Sequence, residues 1–193
     1  MGTIKSALEL AMERASNVKV DKKELHRKAI EQKGKEAASS FLNKPKYKFD
    51  EWLNNLDNND REESFKGVLW VFIKNITLPS STADVDRLLK IKEGFLLISD
   101  KTEEIETLFT QLITAYQQFI DNSKTLLEQS KNEFAPRLQQ KAMQIAQQTG
   151  QMVPIEPETD RDFIEYHKRQ QDQVDDHYKA FIKQITDQLT TII

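Results

Sequence analysis

The sequence predicts an all-α protein: an N-terminal helical body followed by a long antiparallel, coiled-coil-like helical hairpin. Three observations carry this. Gly and Pro number only five each in 193 residues, which favours long helices with few connections over a turn-rich sheet. Five times a capping residue is followed three positions later by an acid, ahead of helical apolar spacing: Asp21/Glu24, Asp60/Glu63, Ser81/Asp84, Asp100/Glu103 and Thr159/Asp162. In that arrangement the cap oxygen accepts a backbone N–H, and the acid meets the positive end of the helix dipole. Finally, residues 102–149 carry a long apolar repeat that a short proline-bearing turn separates from a second one.

Taken in order, residues 3–16 read as a short amphipathic helix with Ile4, Leu8 and Met12 on one stripe. Residues 21–42 read as a weakly apolar helix (Leu25, Ala29, Ala37, Phe41), ended by Asn43-Lys44-Pro45 because Pro disfavours helix before itself. Phe49, Trp52, Leu53 and Leu56 form a short apolar turn or helix. Residues 60–77 carry Phe65, Val68, Leu69, Phe72 and Ile76 at helical spacing. Their centre, 68–73, is also good strand material, but the spacing continues on both sides and favours helix. After Pro79, residues 82–98 make another helix (Val85, Leu88, Leu89, Phe95).

In 102–149, Ile105, Phe109, Leu112, Tyr116, Phe119, Ser123 and Leu126 step by four and three. A second row, Ile113, Ile120, Leu127 and Phe134, repeats every seven, as in helices that cross at a shallow angle. A continuous helix of this length spans about 70 Å, with Pro136 expected to kink or restart it. Residues 150–158 form the turn, and the return helix 160–192 bears Phe163, His167, Val174, Tyr178, Phe181, Ile185, Leu189 and Ile192. A short connection between two periodic helices implies antiparallel packing. Near the turn the stripe thins to Leu138, Ala142 and Ile145 facing Phe163, His167 and Gln170, so the tip is expected to project into solvent. The domain reading is a body over 1–100 and a hairpin over 101–193.

Net charge is −3, which dictates no partner. Residues 19–48, however, hold ten Lys/Arg against four Asp/Glu. Within and beside that excess, Lys22, Lys23, Arg27, Lys28, Lys44, Lys46 and Lys48 are the candidates for polyanion contact, the last three interleaved with Tyr47 and Phe49. A solvated helix face and a linker are the simpler reading of the same residues. The absence of cysteine excludes disulfides, thiolate catalysis and Cys-based zinc sites. Met1-Gly2 followed by Ser6 formally matches a myristoylation pattern. The longest apolar run, Val68 to Ile73, is far too short to span a bilayer, so the expectation is a cytoplasmic protein without a membrane partner.

No recognised catalytic or cofactor motif appears. His26, His167 and His177 include no i, i+4 pair, and no Glu-x-x-His occurs, so zincin and di-iron signatures are missing. Asp57-Asn58-Asn59-Asp60 opens like a calcium loop but continues with Arg61 and Glu62 where an acid or amide and then Gly are required. Phosphate loops and the G-x-S-x-G turn are absent. Asp172, Asp175 and Asp176 read as a solvated acidic face. Trp52 and Trp70 sit in apolar contexts and read as core. No cofactor or metal is expected.

Two stretches have a familiar pattern: Ile4 through Arg14 with Gly34-Lys35, and Phe134 through Lys141 running to Gln147-Gln148-Thr149-Gly150, with Asn75-Ile76-Thr77-Leu78-Pro79 between them. Together they resemble a family of uncharacterised bacterial proteins classed as a domain of unknown function. The resemblance covers nearly the whole chain and implies a bacterial cytosolic protein. It implies no activity and no site residues.

The expected function is therefore a non-catalytic helical scaffold, adaptor or chaperone-like protein acting through helix faces. An unidentified protein partner would meet the tip residues Arg137, Gln140, Lys141, Gln144, Gln148 and Met152. The alternatives are nucleic-acid association through 19–48 and an enzyme whose site assembles from distant residues. Homo-oligomerisation is a further expectation, from the double apolar row on 105–134.

Overall fold

The structure is a computed structural model that describes Ser6 and residues 22–192. The expected helix at 3–16 lies outside the described residues. Six α-helices occur among those described: α1 Lys22–Asn43, α2 Phe49–Asn54, α3 Arg61–Lys74, α4 Ala83–Ile98, α5 Thr102–Thr149 and α6 Arg161–Thr191. A 3-10 turn, Pro157–Thr159, precedes α6, and no strand occurs among the described residues. The ambiguous run at 68–73 is helix, inside α3.

Among the described residues, each expected helix start is matched within two residues, but the capping chemistry differs. At α4 the hydroxyl of Ser81 does not cap; Asp84 reaches back instead, accepting from the Ser80 and Ser81 amides and the Ser80 hydroxyl at 2.7 to 2.9 Å. Those bonds hold the Asp84 carboxyl below its ordinary value. At α6 the cap is Asp160 rather than Thr159.

The chain divides into two compact units, Met1–Val71 and Phe72–Ile193. In the first, α1 buries Ile30, Ala37, Ala38 and Phe41, while Leu25 is 55% exposed. The buried face therefore starts one turn later than the expected Leu25–Ala29 stripe. Gly34 and Gly67 mark where α1 and α3 cross. A Cβ on Gly34 would lie 2.0 Å from the Ser64 carbonyl oxygen, and one on Gly67 2.0 Å from that of Glu31. Phe41 and Phe49 close the core between α1 and α2, their centroids 4.8 Å apart.

In the second unit, rings from three helices stack in sequence: Phe72, Phe95 and Phe109, with centroid separations of 5.6 and 5.5 Å. All three are fully buried. α4 therefore packs on the base of α5, and residues 72–98 share a core with the hairpin. Tyr116, also buried, has its hydroxyl pushed up to about 12 by desolvation.

Helices α5 and α6 run antiparallel in constant register. Phe119 meets Tyr178 at 5.3 Å, and Phe134 meets Phe163 at 5.7 Å. Pro136 neither breaks nor restarts α5, which is continuous through it. Phe134 and Leu138, buried on either side of it, anchor the helix against α6, and this burial offsets the missing N–H. Gly150 ends α5 in the left-handed region (φ 75°), where its N–H bonds the Ala146 carbonyl at 2.8 Å; only glycine adopts this cap without penalty.

Candidate functional site

The distal end of the hairpin is the candidate site. Its core is Phe134, Leu138 and Phe163, with Leu127, Ile155 and Tyr166 packed around them. The turn is then fastened by charge. Lys141 on α5 reaches both Asp160 and Asp162, at 2.7 and 2.5 Å, and Lys131 reaches Glu158 at 2.9 Å. The Tyr166 hydroxyl donates to Glu133.

Asp160 is the pivot of this lock. It is buried, it accepts from the Phe163 N–H at 2.9 Å as the cap of α6, and it holds Lys141. The Lys141 ammonium, foremost, and the Phe163 amide hold its carboxyl below the ordinary aspartate range. Asp160→Ala is expected to cost about 1–2 kcal/mol, the range for losing a helix cap, and Asp160→Asn less, because an amide oxygen still caps. Because the folded pKa is depressed, the stability from the carboxylate is complete above the ordinary aspartate value. It is lost as pH falls through the lowered folded one. The gap between wild type and Asp160→Asn should therefore be present at neutral pH and close in acid, as read by denaturant unfolding across pH.

The sequence-derived tip residues separate into two kinds. Gln140, Gln144, Gln148 and Met152 are exposed, Met152 at 64%. Arg137 is exposed with its guanidinium 5.2 Å from the Phe134 ring centroid, and Lys141 is engaged in the lock. Three exposed apolar side chains went unnamed at the sequence level: Val153, Ile164 and Met143. Ile145 was expected on the buried stripe with Leu138 and Ala142. Three residues past Ala142, it rotates off the inner face and is 40% exposed.

The basic candidates are spread along the first unit. Arg27 pairs with Glu63 at 3.4 Å, Lys28 with Glu24 at 2.6 Å and Lys48 with Glu51 at 2.5 Å. Lys23, Lys44 and Lys46 are exposed, and the Lys22 side chain lies outside the described residues. The pairing acids answer much of the positive excess locally. Trp70 is not core: it is 53% exposed, with the Lys35 ammonium 4.9 Å from its ring centroid. The inner face of α3 runs through Ser64, Gly67, Val68 and Val71, and Trp70 falls about 200° around the helix from Val68. Trp52 is half-buried, stacked on Phe49 at 5.4 Å.

His167 is half-buried, 3.2 Å from the Ser130 hydroxyl, whereas His177 is exposed. Among the described residues no cluster of three His, Asp or Glu side chains is placed to hold a metal ion. The concavities along the base of the hairpin are open grooves between α5 and α6, walled by Thr107, Thr110 and Thr114. Each of these threonine hydroxyls donates to a carbonyl of its own helix. No described helix is long and apolar enough to cross a membrane.

No curated protein and no solved structure matches the chain. One family profile does, over residues 50–191, which takes in α3 to α6 and the whole distal lock. By that match, across well over half its length, the chain belongs to the family of unknown function DUF6657.

Proposed function

We propose that the protein is a non-catalytic, cytoplasmic adaptor whose hairpin tip binds a protein partner. One observation carries this reading: a turn fastened by the Asp160–Lys141 lock displays Met152, Val153, Ile164, Met143 and Ile145, all at least 40% exposed. Methionine is over-represented at adaptable protein-binding surfaces, and exposed apolar groups on a preorganised element lose little entropy on binding. The surrounding Gln140, Gln144 and Gln148 supply amide groups for a polar rim.

The test is capture from a lysate of the source cells with the full chain and with a Met143→Ser, Met152→Ser, Val153→Ser, Ile164→Ser variant, both nuclease-treated. Exposed substitutions of this kind shift stability by only about 0.5 kcal/mol each, so the variant stays folded. A discrete protein held by the full chain and lost by the variant supports the reading. A protein held equally by both removes the tip from binding. Material that disappears with nuclease or added salt moves the function to the basic segment, and a broad mixture of unfolded chains moves it to a chaperone.

A further inference from the structure

We infer that the hairpin is built to open from its tip as a unit, hinging at a polar layer midway along α5 and α6. Among the described residues, two separate clusters of buried side chains lie along the α5–α6 seam. The basal one is Ala115, Phe119 and Tyr178, joined by Leu78, Val174 and Phe181; the distal one centres on Phe134, Leu138 and Phe163. On α5 they are about 22 Å apart, from Phe119 to Phe134.

Between the buried rings of the two clusters the seam carries polar side chains, with Leu126, Leu127 and Val174 half-buried beside them. Gln171 donates to the Ser123 hydroxyl at 3.0 Å and to Asp175 at 2.8 Å. Ser130, almost fully buried, faces His167. Asn122 donates to the Tyr178 hydroxyl at 2.8 Å. Ser123 and Ser130 are seven residues apart on α5, and Gln171 and His167 four apart on α6, so both pairs lie on the seam itself. Seam positions filled this way contribute less than apolar ones, because the open state exchanges each hydrogen bond for one to water. The basal cluster therefore transmits little stability to the distal one.

Apart from the charged lock at the turn, the distal half has little apolar burial to hold it. α5 lacks one backbone hydrogen bond at Pro136. Beyond Leu138 only Ala142 is buried on α5, and on distal α6 only Phe163. The base, by contrast, buries Ile182, Ile185 and Leu189 on α6 and Ile105, Phe109 and Leu112 on α5, which also packs against α4. Regions with few buried apolar side chains open below the global unfolding free energy. The open form exposes Phe134, Leu138 and Phe163 while the base stays folded.

Native-state amide hydrogen exchange on the full chain tests this without any partner, so its outcome is separate from that of the adaptor reading. Helical amides in 131–170 should exchange together, at least about 100-fold faster than those in 105–119 and 178–189. A second chain carrying Ser123→Ala, Gln171→Leu, Ser130→Ala and His167→Leu should slow distal exchange about tenfold and leave the base unchanged. Equal rates for tip and base, residue-by-residue fraying with no common rate, or an unaltered distal rate in the second chain would each overturn the inference.

Discussion

Phe109→Ala should destabilise the second unit by about 3–5 kcal/mol, the range for removing a buried aromatic ring. Phe109 is fully buried and is the last ring of the Phe72–Phe95–Phe109 series that ties Phe72, α4 and α5 together in the second unit. Its ring partner Phe95 on α4 is itself fully buried, so the cavity has little freedom to collapse. The loss is comparable to the whole stability of many domains, about 5–15 kcal/mol. Far-UV circular dichroism in urea is the measurement, because α5 and α6 supply most of the helix. A midpoint shift no larger than that of the surface control Ile164→Ala would mean that the ring series does not hold the base together.

Gly67→Ala should be nearly as damaging in the first unit, by about 2–3 kcal/mol. The added Cβ would stand 2.0 Å from the Glu31 carbonyl oxygen and 2.9 Å from the Lys35 amide nitrogen. Both are backbone atoms of α1, so no rotamer change relieves the clash and the two helices must move apart. Alanine's better helix propensity, worth about 1 kcal/mol over glycine, only partly offsets this. The protein's two tryptophans, Trp52 and Trp70, both lie in this unit, so intrinsic fluorescence follows its unfolding selectively. A fluorescence midpoint at or above wild type would show that the crossing is looser than the glycines indicate. Ser64 at the same crossing is fully buried, and its hydroxyl finds no hydrogen-bond partner among the described residues. That is further evidence that close backbone approach, not polar bonding, selects the residues there.

Helix identity and extent were legible because they are local. Apolar spacing, an acid three residues past a cap and Pro or Gly at the ends act within one or two turns, so α5 was readable to both termini. Even the ambiguous 68–73 run resolved by its flanks. The candidate site was legible only in outline. The turn, the exposed glutamines and Met152 came from thinning of the apolar stripe. The role of Lys141 did not, because its partners Asp160 and Asp162 lie about twenty residues away across the turn. The double apolar row on α5 had suggested self-association. The structure engages α5 on two sides within the same chain, with α4 through Phe95 and with α6 through Tyr178 and Phe163.

By itself, the sequence determined an all-helical chain, the starts of its described helices, the antiparallel return at 150–158 and the absence of familiar catalytic motifs. The tertiary structure alone decided which faces are buried. It placed Leu25, Trp70 and Ile145 outside, brought Gly34 and Gly67 to a backbone crossing, set α4 against the hairpin's base, and divided the hairpin seam into two apolar clusters with a polar layer between. The reason is physical: helix formation follows from interactions a few residues apart, whereas burial depends on which other helix arrives, and no local pattern encodes that.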